Sequence, residues 1–84
     1  MRFEAMVEVS LRPGIADPQG ATIEKAVHAL GFSSISGVRA GKSFRFEIDA
    51  PDEESARASA VELCRRLLTN PVIEDSEVTL NPSP

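Results

Sequence analysis

The sequence predicts an α+β domain in which two helices cover one face of a four-stranded, mainly antiparallel sheet. Three observations support this prediction. The chain has 84 residues, the length of one domain. Apolar and polar residues alternate over residues 3–11 and 43–50, as in half-buried strands. Residues 17–30 and 51–67 instead carry apolar residues at the spacing of an amphipathic helix.

The first strand is predicted over residues 3–11. The residues on its apolar side are Phe3, Ala5, Val7, Val9 and Leu11, and those on its other side are Glu4, Met6, Glu8 and Ser10. Pro13 and Gly14 end the strand, because proline removes a ladder donor and glycine permits a turn.

The first helix is predicted to begin after Asp17, a side chain that can cap free N–H groups, with Pro18 as its first residue. One apolar stripe follows along the helix, at Ile23, Ala26, Val27 and Leu30. Gly31 ends the helix in the position where a left-handed residue closes the last turn.

A weaker strand is predicted over residues 34–40, with a bulge at Gly37 where the alternation breaks. Gly41 and Lys42 form a hairpin turn into the next strand, residues 43–50. The residues on the apolar side of that strand are Phe44, Phe46, Ile48 and Ala50.

The second helix opens at residues 51–54, where acidic residues complement the helix dipole. Its apolar stripe consists of Ala56, Ala60, Leu63, Cys64 and Leu67. Asn70 and Pro71 end it, and a last strand follows with Val78 and Leu80 on its apolar side. Residues 1–80 are therefore predicted as a single domain, and residues 81–84 as a flexible tail.

This order of elements, β-α-β-β-α-β, predicts a two-layer sandwich of the ferredoxin-like type. The sheet face away from the helices carries mostly charged and polar residues. It is interpreted either as a solvated face or as a polar interface with another copy or a partner.

Composition and charge exclude some classes of partner and favour one cellular compartment. The net charge of −4 and the pI of about 4.9 disfavour nucleic acid as a partner, because a protein that binds nucleic acid needs a basic face for the phosphates. Cys64 is the only cysteine and cannot form an internal disulfide, which is compatible with a reducing compartment. No apolar run is long enough to cross a bilayer, and the N-terminus lacks the apolar region of a signal peptide. A cytoplasmic protein without membrane contact is expected.

No catalytic, cofactor-binding or metal-binding residue is predicted. His28 lies one helical turn after Glu24, but a zinc site needs three or four ligands. Cys64 falls on an apolar stripe and is expected to be buried and inert. Residues 41–43 (GKS) resemble the end of a phosphate-binding loop, but a strand follows them instead of the helix that such a loop needs. Whether the chain belongs to an enzyme stays open, and its function is expected to lie in binding.

Three tracts, in this order, carry a resemblance to a known family. They are residues 11–20 (LRPGIADPQG), residues 38–42 (VRAGK) and residues 67–75 (LLTNPVIED). Together they resemble PurS, the small subunit of phosphoribosylformylglycinamidine synthase, over residues 3–80. Ser76 departs from the family, in which an aromatic residue is common at that place.

The resemblance implies a non-catalytic accessory subunit of a carbon–nitrogen ligase complex in purine biosynthesis. That complex uses ATP, Mg and glutamine, none of them bound by the small subunit. A PurQ-type glutaminase releases ammonia, and a PurL-type synthetase accepts it. The small subunit associates with itself, as a homodimer or a homotetramer, and holds the other two subunits together.

Contacts with these partners are expected at the predicted hairpin, through Arg39, Gly41 and Lys42, with a solvated turn as the alternative. Two other functions are compatible with the predicted fold. One is a stand-alone ACT-like regulatory domain that binds a small molecule. The other is an acylphosphatase, which would need an arginine and an asparagine at one phosphate-binding loop. The loop after the first strand has Arg12 but no asparagine.

Overall fold

The computed structural model describes residues 1–83 and contains three strands and two helices. The strands are β1 (Arg2–Leu11), β2 (Gly41–Asp49) and β3 (Glu74–Pro82), and the helices are α1 (Pro18–Ala29) and α2 (Glu53–Leu63). A π-helical turn, Cys64–Leu68, continues α2. β1 is the central strand and pairs antiparallel with both neighbours, in the order β2-β1-β3.

The core lies between α2 and one face of the sheet. Phe3, Ala5, Val7 and Val9 of β1 are buried on that face, as their alternation predicted. Ala56 and Ala60 of α2 are fully buried against it, since a small side chain lets the helix approach the strands closely. Cys64 packs beside Val7 and Val9, which confirms its predicted burial.

The π-helical turn shifts the apolar stripe of α2 by one residue. The Thr69 N–H donates to the Cys64 carbonyl, five residues back, at 2.9 Å. Leu68 consequently packs against the core, whereas Leu67 is 75% exposed. The prediction that Leu67 belongs to the buried stripe is therefore wrong, because a stripe read at the α-helical period does not allow for the extra residue.

The predicted fourth strand, over residues 34–40, does not form, and the sheet has three strands. Gly37 adopts a left-handed backbone (φ +71°) rather than a bulge in a ladder. Gly41 is the first residue of β2 rather than part of a hairpin turn, and it pairs with Ser10. A Cβ at Gly41 would lie 2.7 Å from the Val9 carbonyl oxygen, so the close approach of the two strands requires glycine here.

The first helix forms where the sequence predicts it but does not cover the sheet. Asp17 caps α1 and Gly31 follows it with φ +97°, both as expected. Within residues 1–83, however, α1 makes no substantial contact with any strand or with α2. The radius of gyration is 16.3 Å, against about 12 Å for a compact chain of this length. The predicted ferredoxin-like sandwich therefore forms only in part, because one helix covers the sheet instead of two.

The C-terminal end of β3 also differs from the prediction. Asn81 and Pro82, placed in the predicted tail, belong to β3 and pair with Glu4 and Phe3. The Ser83 N–H donates to the Arg2 carbonyl at 2.8 Å. The strand extends past residue 80 because β1 offers backbone partners along its whole length. Pro84 lies outside the described residues.

Candidate functional site

The segment between β1 and β2 forms a projecting arm, which consists of residues 17–40. Its helix α1 leads away from the sheet, and residues 31–40 return along one side of that helix. Three side chains of the arm join the two halves by hydrogen bonds to the returning backbone. Asp17 accepts from the Ala40 N–H, Glu24 accepts from the Val38 N–H, and His28 Nε2 lies 2.6 Å from the Ile35 carbonyl oxygen.

These bonds explain why residues 34–40 do not join the sheet. Asp17, Glu24 and His28 are spaced by seven and four residues, so they lie on one face of α1. Backbone groups that a strand would use for its ladder are instead satisfied by this face. From the sequence, Glu24 and His28 were considered only as metal ligands, and that role was rejected. The spacing of seven residues from Asp17 to Glu24, and of four from Glu24 to His28, is the sequence pattern from which the arm could have been predicted.

The Asp17 carboxylate joins the start of α1 to the end of the arm. Its carboxylate accepts from the Gly20 N–H and from the Ala40 N–H, both at 2.8 Å. These two backbone hydrogen bonds hold the pKa of Asp17 below its usual value. A Cβ at Gly20 would lie 2.6 Å from both the Asp17 carboxylate and the Val38 carbonyl, so a glycine is required where the arm closes.

We expect the arm to open at acidic pH. Because the pKa of Asp17 is lowered by folding, its stabilising effect is complete above about pH 4 and is lost as the pH falls through the lowered pKa. The Ala40 amide should then lose its protection against hydrogen exchange before the amides of β1 do. Asp17→Asn should expose the Ala40 amide at neutral pH as well. An Ala40 amide that stays equally protected in Asp17→Asn would contradict this role.

The three predicted contact residues lie together at the end of the sheet where the arm joins it. They border an open hollow of about 580 Å³ between the ends of β1, β2 and β3. Arg39 donates through Nη2 to the Leu11 carbonyl at 2.9 Å and lies 3.5 Å from that of Arg12. Arg39 thus fastens the arm to β1, and Gly41 permits the close approach of β2. The Lys42 side chain is 57% exposed.

The charges around the hollow are largely paired. Lys42 Nζ lies 3.5 Å from Glu74 Oε2, and Arg12 Nε lies 3.3 Å from Asp75 Oδ1. The Glu74 carboxylate also accepts from the Asn70 N–H at 2.8 Å and is only 12% exposed. From the sequence, Arg12 was considered only as the arginine of an acylphosphatase loop, and Glu74 and Asp75 were assigned no role. Glu74 and Asp75 were noted only as part of a family tract, and the pair formed by Arg12 and Asp75, 63 residues apart, has no local signal.

The arm exposes several large apolar side chains. The predicted stripe of α1 faces solvent instead of the sheet, with Ile23 42% and Leu30 76% exposed. Phe32 is 55% exposed and Ile35 is 41% exposed on the returning segment. Several large apolar side chains exposed on one segment are typical of surfaces that another protein covers.

The groups that carry chemistry are dispersed. Cys64 is buried in the core, and His28 is engaged with the arm's own backbone. Among residues 1–83, no three His, Cys, Asp or Glu side chains are grouped so that they could hold a metal ion. In the same residues, neither helix combines the length and the hydropathy that crossing a bilayer requires.

Comparison with known proteins gives a consistent set of relatives. A family model described as PurS, phosphoribosylformylglycinamidine (FGAM) synthase, matches residues 4–82. The chain is 47% identical over 75 residues to the phosphoribosylformylglycinamidine synthase subunit PurS of Mycobacterium leprae, covering 89% of this chain and 91% of the relative. It is 41% identical over 70 residues to the PurS of Archaeoglobus fulgidus, covering 83% and 88%.

Solved structures agree with the sequence relatives. The PurS of Methanocaldococcus jannaschii superimposes with a TM-score of 0.88 at 33% identity, covering 98% of this chain and 99% of that one. A chain in the structure of PurLQS from Thermotoga maritima superimposes with a TM-score of 0.90 at 32% identity, covering 96% and 99%. Since nearly the whole chain is covered, these similarities include the arm.

Proposed function

Because the chain belongs to the PurS family of FGAM synthase, we propose that it is the non-catalytic accessory subunit of that synthase in purine biosynthesis. The observation that carries the proposal is the similarity, over 96% of the chain, to a chain of the PurLQS assembly. Its partners are then a PurQ-type glutaminase and a PurL-type synthetase.

The subunit holds the glutaminase and the synthetase in a fixed arrangement. Two partners fixed on one scaffold meet at a high effective concentration and in one orientation, so ammonia released by one subunit reaches the other before it is lost. ATP, Mg and glutamine are held by the larger subunits in this proposal. All of these are soluble reactants, and the complex acts in the cytoplasm.

Self-association, as a homodimer or a homotetramer, is part of the proposal. An 84-residue domain buries a modest share of its surface, and here α1 adds almost nothing to the core. The exposed apolar side chains of the arm therefore remain available for burial between chains. Association buries these exposed side chains and so stabilises the folded chain.

We propose that Lys42 contacts one of the larger subunits. It lies beside the hollow at the sheet end, and its side chain is 57% exposed and makes one ion pair of 3.5 Å, with Glu74. The guanidinium of Arg39, in contrast, donates to carbonyls of its own chain. Replacing both residues would loosen the arm as well as the interface. Lys42 alone is therefore the better probe of contact.

The test is co-elution of the chain with its PurQ-type and PurL-type partners in size-exclusion chromatography. The wild-type chain should elute with both as one complex. Lys42→Glu should weaken that complex about tenfold, because it places a like charge where a complementary one is needed. Arg2→Glu is the matched control at the opposite end of the sheet. Co-elution with neither partner would refute the proposed function, and equal effects of both variants would refute a specific role for Lys42.

A further inference from the structure

The third family tract, residues 67–75, is only partly explained by the fold. Leu68 packs against the core, and the Ile73 carbonyl accepts a backbone hydrogen bond from the loop after β1. Leu67 and Val72 have no such role. Their side chains are 75% and 78% exposed, so they bury little apolar surface within the chain. The tract therefore presents two large apolar side chains that the single chain does not use.

Hydrogen bonds hold the backbone that carries these side chains, in a corner between α2 and β3 that consists of residues 65–73. The Val72 N–H donates to Asn70 Oδ1 at 3.2 Å, and the Asn70 N–H donates to Glu74 Oε1 at 2.8 Å. On the other side, Leu67 belongs to the π-helical turn. Side chains held on an ordered backbone lose less entropy when a partner binds them. The corner is thus suited to bind another surface.

The corner is continuous with the surface that carries Lys42. The carboxylate of Glu74 accepts from the Asn70 N–H through one oxygen, and its other oxygen lies 3.5 Å from Lys42 Nζ. Glu74 is the first residue of β3 and Lys42 is the second residue of β2, so both lie at the same end of the sheet. A protein that contacts Lys42 therefore lies beside the corner as well.

The corner also carries an exposed cation. The Glu62 carboxylate accepts two hydrogen bonds from Arg65, at 2.6 and 3.2 Å. Arg66 Nε lies 3.9 Å from the same carboxylate and its side chain is 72% exposed, so its charge is only weakly compensated. The surface thus combines two exposed cations, Arg66 and Lys42, with two exposed apolar side chains. Its complement is an apolar pocket with carboxylates at the rim.

A second copy of the chain fits the corner less well. The open face of the sheet is acidic, but Met6 is its only apolar side chain along β1, β2 and β3. The arm has exposed apolar side chains, but its two carboxylates, Asp17 and Glu24, already accept from its own backbone. Neither surface combines apolar side chains with available carboxylates, which favours a different protein as the partner.

We propose that the corner, with Leu67 and Val72 as its apolar anchors, docks into an apolar pocket with an acidic rim on the larger subunit that also contacts Lys42. This docking rests on the proposed function and extends its contact surface to a second set of residues. The apolar anchors supply most of the affinity, and the cations at the rim orient the partner.

Replacing the anchors with glutamine tests the docking. Leu67→Gln and Val72→Gln should each weaken the binding of that subunit about tenfold, because each places a polar group in an apolar pocket. Since both positions are exposed, the urea midpoint of the isolated chain should hardly change. Val61→Gln is the matched control, because Val61 is 51% exposed on α2 outside the corner. Calorimetric titrations with the PurQ-type subunit, the PurL-type subunit and both together give the dissociation constants.

Two charge variants complete the test. Lys42→Glu identifies the subunit in question, and the same subunit should lose affinity in Leu67→Gln and Val72→Gln. Arg66→Gln should weaken its binding about threefold and reduce the dependence of the dissociation constant on salt, because one rim charge is removed.

The outcomes separate this inference from the proposed function. A wild-type chain that binds neither larger subunit would refute both. Wild-type affinity in Leu67→Gln and Val72→Gln, an equal loss in Val61→Gln, or a loss confined to the subunit that Lys42→Glu leaves unaffected would refute the docking and leave the proposed function intact. Loss of self-association with unchanged binding of both subunits would also refute it, and would assign the corner to contacts between copies.

Discussion

Replacing Phe3 with alanine is expected to remove a large part of the chain's free energy of unfolding. Phe3 is 2% exposed and packs with Ala5, Ala50, Ala56 and Leu80. Removing a buried phenylalanine costs about 3–5 kcal/mol, from lost burial and from the cavity that remains. A chain of 84 residues has a free energy of unfolding of roughly 4–13 kcal/mol. The variant therefore loses a large part of its stability.

Urea denaturation followed by circular dichroism measures the effect, at one protein concentration because association also stabilises the chain. Phe32→Ala is the matched control. Phe32 is 55% exposed on the arm, so its removal should change the free energy of unfolding by about 1 kcal/mol or less. Equal midpoints for Phe3→Ala and wild type would show that the core does not lie between β1 and α2.

Omitting the chain from a reconstituted synthase is expected to reduce glutamine-dependent FGAM formation by about a hundredfold. The reason is the loss of effective concentration between glutaminase and synthetase, which tethering raises by factors of about 10² to 10⁴. FGAM formation from externally supplied ammonia should hardly change, since the synthetase then needs no partner. Product formation with glutamine and with ammonium salt, with and without the chain, gives the comparison.

The ratio of the two activities is the informative quantity. A chain that held catalytic groups would affect both nitrogen sources alike, whereas a scaffold affects glutamine alone. Adding Lys42→Glu in place of wild type should give an intermediate result that higher protein concentration overcomes. Equal loss with glutamine and with ammonia would contradict the scaffold role.

Local features of the fold were predictable because they depend on neighbouring residues. Asp17 and Asp52 cap the two helices by accepting from N–H groups three residues ahead, and the glycine after α1 is left-handed. The alternation in β1 and β2 identified the apolar side of each strand correctly. The family that the three tracts resemble was confirmed by a family-model match over residues 4–82. Cap chemistry and period need no knowledge of distant contacts.

The candidate site was predicted only in part. Arg39, Gly41 and Lys42 were identified as one group, and they do lie together at the end of the sheet. Their individual roles depend on residues far away in the sequence. Arg39 binds carbonyls 27 and 28 residues earlier, and Glu74, which pairs with Lys42, follows it by 32 residues. No local sequence pattern predicts pairs between residues this far apart.

The sequence by itself determined which residues form helices, which strands are amphipathic and which family the chain resembles. Only the tertiary structure decided what covers each apolar face. Residues 34–40 were kept from the sheet by side chains of α1 that bind their backbone, and α1 was kept from the core by the arm that results. Periodicity shows that a face is apolar, but the surface that buries it is chosen by competition among long-range contacts.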